Sequence, residues 1–328
     1  MALPLRTVSG MRPTGPLHLG HYFGALKNWV ALQNEMDCLY FVADWHALTS
    51  DYADTTRVEE FSLEMVKDWL VSGLDPQRSV IFQQSLVKEH AELALILGMI
   101  TPVSWLERNP TYKEQRQEIT HKDLGNVGFL SYPVLQAADI IMYKAHGVPV
   151  GVDQLPHVEL TREIARRFNF LYREIFPVPD PLLTDFPKLL GIDGRKMSKS
   201  YENSIYISDR GDALAEKIAA MFTDPQRMRR KDPGRPELCN VFTFHQIYSP
   251  AADAGQIGDA CRTAGIGCTD CKKQLAARIA EAMKPVHDRR DHYLGHPEEV
   301  RRIIEDGNAR AARIARQTME EVREAVRI

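Results

Sequence analysis

The chain has 328 residues, 44% hydrophobic and 26% charged, enough for about two domains of roughly 150 residues each with cores that need no staples. A net charge of −3 excludes the bulk basicity of a nonspecific nucleic-acid binder. The longest apolar run, Leu93 to Ile100, is far short of the roughly 20 residues a membrane span needs, and the opening MALPLRTVSG has no basic segment leading into an apolar one, so the expected location is the cytoplasm.

Residues 6–11 read as a first strand, the Pro13, Gly15 and Pro16 cluster as a loop, and 18–32 take up helical spacing. A buried strand is expected over 38–43. Thr55 is placed to cap a helix to Val71, with Glu59 and Glu60 in its first turn where carboxylates suit the dipole. Further strands are predicted at 79–82 and 148–152, and helices at 136–144 and 155–168. This alternation predicts an α/β fold with a Rossmann-like, doubly wound parallel sheet that binds ligands beyond the carboxyl ends of its strands. After Ser200 helical stretches such as 212–221 and 275–288 follow without strand signals. The expected organisation is therefore a catalytic domain over 1–200, an all-helical domain over 201–296, and a long amphipathic helix or helix pair over 297–328 that packs back on the first domain.

Two motifs carry chemistry. Thr14-Gly15-Pro16-Leu17-His18-Leu19-Gly20-His21 follows the first strand and puts two imidazoles on one face of a helix start. Glycine between them lets a flat ring lie against the backbone, and a helix N-terminus favours a polyanion such as a triphosphate. Lys196-Met197-Ser198-Lys199-Ser200, preceded by Gly191 and Gly194, reads as a mobile loop with two ammonium groups able to close over a leaving pyrophosphate. Alone, each motif is as compatible with structural histidines and a basic surface loop.

Together, in this order and about 175 residues apart, they resemble the paired signatures of class I aminoacyl-tRNA synthetases. That family activates an amino acid by attack of its carboxylate on the α-phosphorus of ATP, with Mg²⁺ carried on the phosphates, and passes the aminoacyl group to tRNA. The resemblance implies catalytic roles for His18, His21, Lys196 and Lys199. It implies ATP contacts from Arg12, Pro13, Thr14, Gly20, His21, Gly151, Val152, Asp153, Leu190, Lys196, Met197, Ser198, Lys199 and Ser200.

The stretches Tyr132 to Asp139 and Val148 to Gln154 look like the tryptophanyl and tyrosyl members of this class. A carboxylate on an otherwise apolar helix must be paired or functional, since burying it alone costs several kcal/mol. An indole N–H suits Asp139, and the resemblance assigns it that partner. The expected tryptophan pocket is Val8, Tyr132, Gln136, Asp139 and Gln154, with Val148 and Val150 as apolar walls. Ser9 to Gly15, Ala43 to Thr49 and Gly151 to His157 are similar to tryptophanyl enzymes, whereas Gln136 stands where many bacterial members carry methionine and archaeal-type tyrosyl enzymes carry glutamine. The implied reaction is charging of tRNA-Trp with L-tryptophan by a homodimer, with tyrosine as the alternative amino acid. A non-charging nucleotidyltransferase or RNA-binding relative fits less well, given the second domain and the intact histidines and lysines.

Cys38 fits a small buried hydrophobe, but Cys239, Cys261, Cys268 and Cys271 fall together with spacing C-x21-C-x6-C-x2-C. Four thiolates can hold zinc or an iron–sulfur cluster. The spacing resembles that of bacterial tryptophanyl enzymes with a [4Fe-4S] cluster in the anticodon-binding domain; zinc and no metal are the alternatives. Lys272 and Lys273 beside the last cysteine would then be held where RNA can meet them. Residues 221–328 carry 19 Lys plus Arg against 16 Asp plus Glu, and the run Arg227, Arg229, Arg230, Lys231, Arg235 is a further candidate for phosphate contact.

Overall fold

The computed structural model describes residues 5–110, 112–113, 124–183 and 189–328, with Ser200 described by its backbone only. The chain divides into two compact units: one built from the segments 1–15, 25–185 and 295–328, the other from 16–24 and 186–294. The expected boundary near residue 200 thus lies earlier in the chain, and both signature motifs belong to the second unit. Among the described residues no helix is long and apolar enough to cross a membrane.

The first unit is built on five parallel strands: β1 Arg6–Met11, β2 Asp37–Val42, β3 Ser79–Gln83, β4 Gly147–Val150 and β5 Asp180–Leu183, in the order β3-β2-β1-β4-β5. Residues 38–42 are all buried, as a central strand covered on both faces requires. Opposite Phe41 in the register stands Gly10, where a Cβ would lie 2.3 Å from the Phe41 ring, so only glycine lets that ring cross β1. The carboxyl ends of β1, β2 and β4 deliver residues 12–15, Asp44 and residues 151–154, which is where a sheet wound in this way presents its ligand-binding loops.

Several helices differ from expectation. Val58–Val71 begins without a side-chain cap, and Thr55 contributes only its carbonyl, which accepts the Val58 N–H. Val127–Ile141 starts nine residues before the expected Gln136. Pro133 sits inside it, a residue that reads as a breaker from sequence, while the Asn126 side chain caps the start by accepting the Phe129 N–H. Asp44–Asp51, Glu89–Ile100 and strand β5 were not anticipated.

The C-terminal segment is a single helix, Pro297–Val326, packed on the first unit. Val300, Ile304, Gly307, Ala311, Ala315, Met319 and Val322 form its buried stripe at helical spacing. It covers the open edge of β3, where Asn308 Oδ1 accepts the Gln83 N–H at 2.8 Å. A Cβ on Gly307 would lie 1.7 Å from the Ile81 carbonyl oxygen, so the approach depends on glycine. Arg323 binds Glu92 through two nitrogens at 2.6 and 2.7 Å, and Lys144 binds Glu321.

The second unit holds the helices Gly211–Ala220, Asn240–Tyr248, Ala251–Arg262 and Cys268–Gly295, the last burying Leu275, Ile279, Met283 and Val286. It is not wholly helical: His18 and Lys196 each join a short antiparallel bridge, to Tyr206 and Leu190.

Gly307→Ala should destabilise the first unit by about 1–3 kcal/mol, the usual cost of overpacking, because the helix must leave β3 to admit the methyl. Urea denaturation followed by far-UV circular dichroism measures this; an unchanged midpoint would show that the helix is not held at that distance.

Candidate active site

In the first unit, Tyr132, Gln136 and Asp139 occupy one face of the helix Val127–Ile141, as their spacing of four and three dictates. Asp139 has no exposed surface, and three side chains of the chain itself meet it. His90 Nδ1 lies 2.6 Å from Oδ1, His46 Nε2 2.7 Å from Oδ2, and Gln84 Nε2 donates across both oxygens at 2.8 and 2.9 Å. Burial pushes the Asp139 carboxyl up, but the two imidazoles outweigh it, His46 the more strongly, and hold it down at about 2. The group is an anion, and its pairing is met from within. An ionised carboxylate offers about four acceptor positions, and these four contacts, two on each oxygen, fill them. Of the three, His46 alone has measurable exposure, 9%.

Tyr132 is half-buried, and its hydroxyl lies 2.9 Å from His157 Nε2. Burial pushes the Tyr132 phenol up to about 12 against the opposing charge of Arg12, and burial with His46 pushes His157 down to about 4. Both groups are therefore neutral at pH 7. Arg12 is exposed and donates to Ser50 Oγ at 3.3 Å, Pro13 is buried, and Thr14 is exposed. Gln136 is half-buried; Val8 is fully enclosed in the core and Val148 nearly so, so these valines pack behind the site. Gly151 opens a short turn, Val152 and Asp153 are exposed, and Gln154 donates to Asp153 at 3.2 Å.

In the second unit the two motifs meet. The His18 and His21 rings lie 3.8 Å apart between centroids, and the His18 backbone N–H donates to His21 Nδ1 at 3.2 Å. That bond leaves the proton of neutral His21 on Nε2, as a donor. A Cβ on Gly20 would come within 2.9 Å of the His18 ring, which explains the glycine. Burial first, then the ammonium of Lys199, brings His18 down to about 4; burial, His18 and Lys199 lower His21 well below the usual range. The imidazoles are hydrogen-bonding groups without charge, and the cation beside them is Lys199.

The lysine loop is more tied down than its glycines suggest. Gly191 N–H donates to the Arg195 carbonyl at 2.7 Å, and Gly194 turns the chain at φ +81°. Asn203, 1% exposed, accepts the Ser198 N–H at 2.8 Å and donates to the Lys196 carbonyl at 3.1 Å and to Asp193 at 2.8 Å. Lys196 is exposed, Met197 buried, Ser198 half-buried and Leu190 37% exposed.

Cys239, Cys261, Cys268 and Cys271 gather in this unit. Burial, then the thiols of Cys239, Cys261 and Cys268, push Cys271 up to about 12. The four therefore stand within electrostatic reach of one another, although among the described residues no three acidic, histidine or cysteine groups converge as a metal-ligand set. Two of the basic run face inward. Arg227 donates to the Ile266 carbonyl at 2.6 Å and reaches Cys261 Sγ at 3.5 Å, and Arg235 binds Asp224 through two nitrogens. Lys272 donates to the Ala219 carbonyl, while Lys273 is exposed.

Sequence reading missed Gln84, His90, Tyr143 and Asn203. A buried anion needs donors, which is the only signal that pointed towards the first two.

A sheet of this order, with neutral paired imidazoles beside a lysine, is the arrangement of a nucleotide-binding enzyme. Residues 2–284 match the family described as tRNA synthetases class I (W and Y), and the chain belongs to that family. The tryptophan-tRNA ligase of Thermotoga maritima is 52% identical over 326 residues, covering 99% of each chain, and that of Aquifex aeolicus is 44% identical. Among solved structures, a Campylobacter jejuni tryptophanyl-tRNA synthetase complexed with ADP and tryptophan superposes with a TM-score of 0.91 at 34% identity, over 99% of this chain and all of the other.

The depressed pKa values set a pH dependence. Free imidazole titrates near 6.5 and folded His18 and His157 near 4, so between those values the unfolded chain binds more protons. Stability should fall as pH drops from about 6.5 to about 4, and His157→Gln should flatten part of that fall. Denaturation midpoints across this window test it, and a wild-type midpoint that stays level would contradict the assignment of neutral histidines.

Proposed function

We propose that this chain is an ATP-dependent tryptophan-tRNA ligase, which converts L-tryptophan and ATP to tryptophanyl-AMP and pyrophosphate and then transfers tryptophan to tRNA-Trp. The observation that carries this reading is the likeness to tryptophan-tRNA ligases over the full length of both chains. The alternative amino acid, tyrosine, belongs to the same family description, but the relatives of highest identity reported above act on tryptophan.

The roles follow from chemistry. Tryptophan's ring N–H is accepted by Asp139 in exchange for one of the bonds the carboxylate makes within the chain, with Tyr132, Gln136 and Gln154 as the further polar groups of the pocket and Val8 behind them. His21 Nε2 and His18 donate to phosphate oxygens without adding charge, while Lys196 and Lys199 neutralise the charge that grows as pyrophosphate leaves. Arg12, Pro13, Thr14, Gly20, Gly151, Val152, Asp153, Leu190, Met197, Ser198 and Ser200 complete the ATP contacts. Mg²⁺ arrives on the phosphates, as is usual for this cation. No enzyme nucleophile takes part: the substrate carboxylate forms the new bond to the α-phosphorus as the bond to pyrophosphate breaks, so catalysis is positioning and electrostatics.

Residues 201–296 serve the tRNA anticodon, the enzyme works as a homodimer, and its location is the cytoplasm. The donor chemistry of Cys239, Cys261, Cys268 and Cys271 suits a [4Fe-4S] cluster, since burial and the neighbouring thiols push Cys261 and Cys271 up and a cation among them would reverse that. Such a cluster would supply a structural clamp on the helical unit; zinc is the less favoured occupant.

Pyrophosphate exchange should respond to tryptophan among the twenty amino acids, and tyrosine-dependent exchange without a tryptophan signal would end this assignment. Lys196→Ala and Lys199→Ala should each slow adenylate formation by roughly 10²–10³-fold with little change in tryptophan affinity, because their charge acts in the transition state.

Anaerobically purified protein should be brown, absorb broadly near roughly 400 nm and contain iron and sulfide in near-equal amounts. Cys268→Ser should weaken tRNA charging while adenylate formation persists. Colourless protein with stoichiometric zinc would replace the cluster by a zinc site, and metal-free protein with full charging activity would remove both.

A further inference from the structure

The lysine loop is braced from inside as one piece. Leu190 and Lys196 form an antiparallel bridge, the Gly191 N–H donates to the Arg195 carbonyl at 2.7 Å, and the Ile192 N–H donates to the Asn203 carbonyl at 2.9 Å. A Cβ on Gly191 would lie 2.3 Å from the Asn203 side chain and 2.6 Å from its carbonyl oxygen, so only glycine lets the two ends of the loop meet. A piece so closed moves as a unit, and its placement is decided by what grips it from outside.

One such grip comes from the helices that follow in the same unit. Asn240 Nδ2 donates to the Gly191 carbonyl at 2.8 Å, across 49 positions of sequence. The direction is forced, because a carbonyl can only accept and the amide nitrogen alone can donate. Asn240 is 3% exposed and opens the helix Asn240–Tyr248, which buries Val241 and Phe244, so the backbone beneath the amide is fixed. Its other end is a loss: Oδ1 is buried and has no hydrogen-bond partner among the described residues. An apolar side chain would avoid that desolvation, so burial alone gives no reason for an amide here; the reason lies in the bond to Gly191. The neighbouring tie, from the Phe222 N–H to the Ile192 carbonyl at 2.6 Å, is made by backbone and does not depend on a side chain.

We infer that Asn240 is a positioning residue of the reaction: by holding the Gly191 carbonyl it sets where the braced loop stands, and with it the ammonium groups of Lys196 and Lys199. This rests on the reading of those lysines as the charges that meet the departing pyrophosphate, and it names a residue outside both signature motifs on which they depend.

Pyrophosphate exchange on the full-length protein, together with single-turnover measurement of adenylate formation, tests this. Asn240→Leu keeps the bulk of the side chain and removes the donor. It should slow adenylate formation by on the order of tenfold, as small misplacements of reacting groups do, with the KM for tryptophan within about twofold of the wild type. In a Lys196→Ala background the same substitution should cost roughly threefold or less, since a group already removed cannot be misplaced again. A folded Asn240→Leu protein at the wild-type rate, beside a slow Lys196→Ala, overturns the proposal and leaves the lysine roles intact. So does a loss that recurs in full in the Lys196→Ala background, or one matched by an equal rise in the KM for tryptophan, since either marks a residue that only supports the fold. A Lys196→Ala protein at the wild-type rate would instead remove the reading of the lysines and this proposal with it. Circular dichroism melts establish folding, and if Asn240→Leu fails them, Asn240→Ala, which crowds nothing, is judged by the same comparisons.

Discussion

A carboxylate taken wholly out of water organises the first unit. Asp139 costs several kcal/mol to bury unpaired, and that cost is met by donors arriving from three separate places: His46 on the helix after β2, Gln84 in the turn after β3, and His90 on the helix that follows. Each lies near the carboxyl end of a strand, so forming the sheet in register is what brings them within hydrogen-bond distance. The pairing of this anion and the register of the sheet are thus one arrangement. Changing one donor disturbs the anion, and through it the other two.

The C-terminal helix extends this dependence. It seals the β3 edge through Asn308 and the close contact at Gly307, and β3 ends in Gln83, whose side chain donates to buried Asp44 at 2.7 Å, next to Gln84, which donates to Asp139. Residues more than 200 positions apart in sequence therefore set the position of the same strand end. Covering a sheet edge and steadying the strand end that serves Asp44 and Asp139 are here the work of one helix.

In the second unit the electrostatics are divided differently. Two imidazoles packed with their centroids 3.8 Å apart and desolvated beside an ammonium do not carry charge at neutral pH, so they bond without attracting, and attraction falls to the lysines. Asn203 holds the loop that carries those lysines through three hydrogen bonds, a role for which its position in the chain gave no hint.

The positions of strands β1 to β4, the parallel α/β class, the two signature motifs and the grouping of four cysteines were legible in the sequence, because each rests on local periodicity, on residue type or on spacing along the chain. The long terminal helix was legible for the same reason. Pro133 concealed the start of its helix, since a breaker tolerated inside a helix is a matter of the surroundings that hold it. Nothing in the sequence singled out His90, and Arg227 and Arg235 stood in a basic run offered as a candidate for phosphate contact. Only the tertiary structure paired His90 with Asp139 and turned the two arginines inward, to the Ile266 carbonyl and to Asp224. The physical reason is general to buried polar groups: sequence states that a charge must be satisfied, and the fold alone decides which distant donors satisfy it.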